Sequence, residues 1–491
     1  MHLLHRDSMG LFFTLFFVFT AYLGPETVFG SFAEYHVEIV IALITMFFSV
    51  FSAEGSGTFR LPQTYAIIGL SCAVFISVLM SGWAGGAPVA FLDFIPNSMP
   101  FFFVLLNCRK KSHLQMLVTV LVYAALFTTY KAYVAIQAND LESPYLLNMN
   151  TDDGHIIRIR GLSFISDPND FAQFIVGLIP CVFFFWKKKR FLTNLLMVYV
   201  PVAGLIYGMF LTHSRGAMMA LLVVVIVAGR KKLGVVPSIV GAVLLFVGLS
   251  AIGWSGGRDV SASQGEDRMG AWSRGLELIR QYPLFGVGYK RFVDHYYITA
   301  HNSIVVCAAE IGMIGFFFWV LFVFSSVRDA AVNSIDPDAV VKVKDEDLVP
   351  AGMMAYGAAA VSAREPVVLK DASEQAREKR KGFSLKNPFA DTDDEVDKVA
   401  EAKEIRRLSG LMVVSFAGFL TAGWFLSRSY IMPLFVNAGI VAAIGRMGRA
   451  KGVSGPEFEM PRAMKMALIT SVALITLVYT ILRMNGIFGK S

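Results

Sequence analysis

Apolar runs of about 15 to 25 residues recur along most of the chain, each long enough to cross a hydrocarbon layer as a helix. Lipid offers backbone N–H and C=O groups no partner, so such runs must satisfy them internally. The runs are near-continuous Leu, Val, Ile and Phe, without the period-two alternation of a transmembrane barrel. Composition agrees: 55% of the 491 residues are hydrophobic, 42 are Phe, and mean hydropathy is +0.58. The expected fold class is all-α, a polytopic helical membrane protein rather than a chain around one soluble core.

About thirteen spans are expected, near 9–28, 36–53, 62–81, 87–107, 114–136, 169–186, 191–212, 215–229, 233–252, 301–325, 409–427, 430–445 and 463–484. The first run has no small-residue cleavage pattern, so it reads as an uncleaved span with no soluble domain before it. If the spans alternate, four basic clusters fall on one side: Arg109-Lys110-Lys111, Lys187 to Arg190, Arg230-Lys231-Lys232, and Arg446 with Arg449 and Lys451. The positive-inside rule makes that side cytoplasmic, with His5 and Arg6 of the N-terminus, and makes loops 137–168 and 253–300 external. A bundle over 1–325 is then followed by a charged cytoplasmic insert, 326–408, and by C-terminal spans within 409–491. Alternating charge and few aromatics make the insert a mobile linker with a helix near 395–407. Net charge of +7 belongs to this topology and signals no nucleic acid. Cys72, Cys108, Cys181 and Cys307 show neither pairing nor metal spacing and read as small hydrophobes.

Against this apolar background, charge gathers at the external edges of the spans, where ionisable groups are costly and become functional candidates. Asp167-Pro168-Asn169 starts a helix, with Asp167 as cap and Pro in the first turn. Arg158 and Arg160 precede it, where topology needs no positive charge, and read either as an anion clamp or as solvated surface. At Thr212-His213-Ser214-Arg215-Gly216-Ala217 two spans meet with almost no loop. Arg215 there either snorkels to lipid phosphates or binds a phosphate bidentately, and the small residues beside it admit a close neighbour. From Asp267 to Tyr282, Met269, Trp272, Leu276 and Ile279 recur at helical spacing and predict an amphipathic helix on the outer surface. Arg268 projects from its first turn, with pairing to Asp267 as the structural alternative, and Pro283, Gly286 and Gly288 end it. His301-Asn302 opens the next span; a helix N-terminus disfavours imidazolium, leaving His301 in the neutral form a general base needs. Glu310 lies about 13 Å deeper at 1.5 Å per residue and reads as a structural contact, with Gly312 and Gly315 as close-packing positions.

Two arginines and a neutral histidine at one interface suit displacement at a phosphorylated carbon. Arg215 and Arg268 would hold a diphosphate leaving group while His301 activates the incoming hydroxyl. No Asp-x-Asp pair or His/Asp/Glu cluster stands on that side, and Asp152-Asp153 is a weak exception, so a metal-independent reaction without cofactor is expected.

The Asp-Pro-Asn turn at 167–169 with Ala172, Ser214-Arg215-Gly216, Arg268…Trp272, Pro283…Gly286-x-Gly288, His301-Asn302 and Glu310-x-Gly312-x-x-Gly315, in that order, resemble the O-antigen ligase / Wzy-type polymerase superfamily of bacterial inner-membrane proteins. The resemblance spans about 158–325. It implies a glycosyltransferase C-like fold and transfer of a glycan from undecaprenyl diphosphate to an acceptor hydroxyl on the periplasmic face. By motif position Arg215 and Arg268 match the diphosphate-binding arginines and His301 the acceptor-activating histidine. Arg160 matches more loosely, and Arg158, Asp167, Trp272 and Asn302 join it as substrate-side candidates. Partners would be the lipid-linked glycan, membrane lipids, and a glycan, lipid A core or protein acceptor. The insert at 326–408 departs from the family pattern. The alternatives are a polymerase of repeat units, which shares the chemistry, and a lipid-linked sugar transporter or flippase. The latter predicts charge along a mid-membrane path, whereas here it gathers at one interface. A scaffold or sensor built on the insert is the third.

Overall fold

The computed structural model describes residues 2–24, 37–50, 57–151, 154–254, 262–335, 390–455 and 458–486. Fourteen helices carry those residues: α1 (His2–Leu23), α2 (Val37–Val50), α3 (Pro62–Met80), α4 (Gly86–Asn107), α5 (Lys111–Gln137), α6 (Pro168–Phe185), α7 (Phe191–Leu211), α8 (Arg215–Leu233), α9 (Val235–Ala251), α10 (Ala262–Gln281), α11 (Ser303–Asn333), α12 (Ala390–Trp424), α13 (Met432–Ala450) and α14 (Met460–Met484). All thirteen expected spans overlap helices, and α10 is the expected helix of the long loop. Eight of the helices are long and apolar enough to cross a membrane, and α2, α9 and the apolar part of α1 are shorter. This is a polytopic helical membrane protein.

Polar contacts sort the helix ends into two faces. On one, Lys111 pairs with Glu404 at 2.8 Å, Arg407 donates to the Phe183 carbonyl at 2.7 Å, and Arg446 donates to that of Leu106 at 3.2 Å. The basic clusters at 109–111, 187–190 and 446–451 therefore share that face, and connectivity brings 230–232 to it. The opposite end carries the candidate residues. Between the faces, α6, α11 and α13 are buried almost throughout, whereas α9 and α14 turn Val240, Leu244, Leu468 and Val472 outward as lipid-facing surface.

Three features differ from or extend the sequence expectation. Loop 137–168 contains an antiparallel hairpin, β1 (Leu146–Thr151) with β2 (Gly154–Ile159), in register Leu146 with Ile159. Asp152 and Asp153 lie outside the described residues. The 326–408 segment, expected to be a mobile linker with a helix near 395–407, is helical at both ends: α11 continues to Asn333 and α12 runs from Ala390 through the expected helix, while 336–389 lies outside the described residues.

The third is a break within α11. At Gly312 the backbone turns to φ 65°, ψ −178°, conformations that only glycine adopts readily. The freed peptide groups are taken up by the segment after α10. Val287 and Gly288 donate to the carbonyls of Ala309 and Glu310 at 3.0 and 2.9 Å, and Met313 donates to that of Pro283 at 2.8 Å. Irregular backbone at this depth is tolerated because protein surrounds it. Gly286 and Gly312 make the approach possible, since a Cβ on Gly312 would stand 2.2 Å from the Leu284 oxygen. Gly312→Ala is therefore expected to destabilise the protein by about 2–5 kcal/mol, from overpacking and forbidden backbone geometry together. Thermal unfolding in detergent measures this, and an unchanged midpoint would mean that the segment does not fill the break.

Candidate functional site

Each candidate side chain stands at a helix start whose local sequence fixes it. Asp167 caps α6 by accepting from the Asn169 N–H at 2.7 Å, as its Asp-Pro-Asn pattern predicts. Ser214 caps α8 through the Ala217 N–H at 3.3 Å, which sets Arg215 as that helix's first residue. Before it, His213 adopts φ 51°, unusual outside glycine, and its Nδ1 lies 3.1 Å from the Trp254 carbonyl. The buried Trp254 indole in turn donates to the Ser214 carbonyl at 3.0 Å. The tight turn is thus pinned on both sides, and Arg215 starts from a rigid base.

Arg268 comes from the first turns of α10. That helix buries Ala271, Leu276, Leu278 and Ile279, while Trp272 donates to the Ala300 carbonyl at 2.7 Å and meets Trp424 edge-on at 5.8 Å. Trp272 so ties α10 to the residue preceding His301. Asp267 accepts from the Tyr297 hydroxyl at 2.7 Å. The Arg268 side chain is exposed, yet packed neighbours and the adjacent Arg215 cation press its pKa below the ordinary guanidinium value. The two arginines are close enough to repel each other, and such a pair favours an anion between them.

His301 is half-buried with φ 46°, a second strained histidine at this end of the bundle. Its backbone N–H donates to Thr299 Oγ1 at 3.3 Å. Burial, followed by the Arg268 and Arg428 cations, holds its pKa below the usual imidazole value, and the Asp167 carboxylate opposes them. That shift favours the neutral ring. Next to it, the buried Asn302 caps α11, its Oδ1 accepting from Ile304 and Val305 N–H at 2.9 and 3.2 Å. Its Nδ2 has no partner among the described residues.

The structure therefore brings Arg215, Arg268, His301 and Asp167 to one end of the bundle. Arg158 is not solvated surface: it is buried, donates through Nε to the Thr212 carbonyl at 2.7 Å and through Nη2 to Asn169 at 2.9 Å. It braces the end of α7 against the start of α6, because a buried guanidinium must be met by acceptors. Arg160 remains half-buried, bonded through Nε to the Pro144 carbonyl at 3.0 Å. Glu310 is buried as expected, its Oε1 accepting from the Phe292 N–H at 3.4 Å.

Sequence reasoning missed Arg428 and Asp170. Arg428 Nε lies 2.7 Å from Asp170 Oδ2, and the pair stands beside His301. The signal was present, for Arg428 is a positive charge at the end where topology needs none. A cavity of about 20 Å³ lined by Arg60, Arg328, Asp329 and Arg449 sits at the other, basic face and has room for about one water.

Residues 200–320 match the Wzy_C family model, the O-antigen ligase family. The matched segment runs from within α7 to within α11 and contains Arg215, Arg268 and His301. The chain thus carries that family's sequence pattern in the segment that supplies these three residues. The similarity is to glycosyltransferase-like enzymes of ligase or polymerase type, which use a lipid-linked glycan donor and a glycan acceptor. No curated protein matches the chain.

Proposed function

We propose that the protein transfers an oligo- or polysaccharide from undecaprenyl diphosphate to an acceptor hydroxyl, in the manner of an O-antigen ligase. The observation that carries this reading is the convergence of Arg215, Arg268 and a neutral His301 at one end of the bundle, inside the family-matched segment. The acceptor oxygen attacks the anomeric carbon, its proton passes to the free nitrogen of His301, and the bond to the diphosphate oxygen breaks. The electron pair leaves with undecaprenyl diphosphate, whose growing charge the arginines stabilise in a site that holds them fixed beforehand. A guanidinium suits this role because its planar fork matches phosphate oxygens. Asp167 and Arg160 line the approach, and Trp272 holds α10 against the His301 segment. Polymerisation of repeat units uses the same residues with a glycan acceptor in place of lipid A core. Transfer by the purified protein in liposomes, from a defined polyprenyl-diphosphate glycan to each acceptor, tests the reading; no transfer to any acceptor overturns it.

The reading also sets orientation. In a bacterial inner membrane the basic face is cytoplasmic and the arginine end periplasmic. With the native cysteines replaced, Tyr282→Cys should react with an impermeant thiol reagent in intact spheroplasts, and Lys370→Cys only after permeabilisation. Labelling of the second in intact cells reverses the orientation.

A further inference from the structure

We propose that Arg428, anchored by Asp170, is a third cationic contact to the donor diphosphate, supplied from outside the family-matched segment. This rests on the reading of the Arg215–Arg268–His301 end as a diphosphate site.

Placement is the first argument. Arg428 lies in the link Phe425–Ile431 between α12 and α13. Phe425 packs on Gly216, where an added Cβ would stand 3.1 Å from the Phe425 Cβ, directly beside Arg215. The next residues grip the start of α11. Ser303 Oγ donates to the Leu426 carbonyl at 2.7 Å, the Arg428 N–H donates to Ser303 Oγ at 3.1 Å, and Ser429 Oγ donates to the Ser303 carbonyl at 2.6 Å. Ser427 and Thr299 hydroxyls bond to each other, and Trp319 donates to the Ser429 carbonyl at 2.7 Å. One short link thereby touches the helix start bearing Arg215 and both flanks of His301.

The side chain is the second argument. Asp170 is 2% exposed, whereas the Arg428 side chain is 40% exposed. The guanidinium is fixed through Nε to a buried carboxylate, keeps much of its surface exposed, and lies close enough to His301 to act on its charge. Surface snorkelling needs no buried partner, and a purely structural ion pair would be covered on both sides.

Charge arithmetic assigns the role. In the intact donor each phosphate carries one ionised oxygen, which Arg215 and Arg268 match. Breaking the bond to the sugar puts a further negative charge on the leaving oxygen, and a third guanidinium meets it. Asp170 balances Arg428 at rest, so the contact acts mainly on the charge that develops. Such an interaction appears in kcat rather than in donor affinity.

Arg428→Gln, Arg428→Lys and Asp170→Asn in liposomes, with defined donor and with undecaprenyl diphosphate as product inhibitor, test this. Arg428→Gln should lower kcat by about 10²–10³-fold. It should weaken inhibition by undecaprenyl diphosphate at least tenfold more than donor binding, roughly one full charge contact. A structural role would weaken both equally. Asp170→Asn should show the same pattern more mildly, and the double variant should be no worse than Arg428→Gln alone. Wild-type kcat in folded Arg428→Gln, or equal loss of donor and product binding, overturns the proposal. If that variant does not fold, Arg428→Lys decides by the same ratio. Arg268→Gln separates the two levels: if it alone loses transfer, only the third contact fails, and if both keep wild-type rates, the site reading fails as well.

Discussion

Replacing His301 with alanine is expected to slow transfer by about 10²–10⁴-fold, the usual contribution of a general base, while donor binding through the arginines largely survives. The histidine is half-buried, backbone-strained and held neutral by burial and by Arg268 and Arg428. Because its pKa is lowered, the active neutral form persists to a pH below the ordinary histidine range and is lost as pH falls through the lowered value. Removing Arg268, the cation that lowers it most, relieves part of that push. In Arg268→Gln the acid limb of the residual rate should therefore move to higher pH, and in Asp167→Asn, where a raising carboxylate is lost, to lower pH. Steady-state rates across pH 5–8, the range in which histidine titrates, together with direct donor binding, measure both effects. Wild-type rates in a folded His301→Ala protein would refute the mechanism. A matching loss of donor binding would instead place His301 against the diphosphate.

Arg215→Lys and Arg268→Lys should each cost about 10²–10³-fold in rate, although both retain the positive charge. The cation alone does not reproduce a planar fork that bridges two phosphate oxygens. The turn below Arg215 is pinned by Ser214 and Trp254, so a lysine there starts from the same rigid base and the loss reports on the head group. Single-turnover rates at saturating donor isolate the chemical step. Full activity in both variants would remove the diphosphate clamp from this end of the bundle.

The spans were legible because a 20-residue apolar run has few other ways to be stable, and the basic clusters marked helix ends that share one face. Arg215, Arg268 and His301 were legible for the complementary reason: charge at the other end has no topological task. That logic also covers Arg428, but Ser427-Arg428-Ser429 looked like a mere gap between two spans, and its partner Asp170 was absorbed into the helix-cap pattern of α6. A pair separated by 258 residues leaves no local trace, because burial of Asp170 is a property of packing. The protein contacts of Arg158 were not legible, since a guanidinium just outside an apolar run reads the same whether it faces a ligand or two protein acceptors. The hairpin escaped because Leu146–Thr151 and Gly154–Ile159 are short and partly polar, and two strands alone carry little propensity signal.

The break at Gly312 bears on how the chain is made. As it leaves the insertion machinery, a segment equivalent to α11 would have peptide groups near 309–313 unsatisfied, each costing several kcal/mol in lipid. Their partners lie in Pro283–Gly288, which precede α11 in the chain. Lateral release of α11 into lipid is therefore favourable only after that segment has folded back beside it. Biogenesis of this half of the bundle is expected to proceed by joint packing rather than helix by helix, with glycines 286 and 312 as its bottleneck. Variants at these two positions should be found among the degraded or mistargeted forms before they are found among the inactive ones.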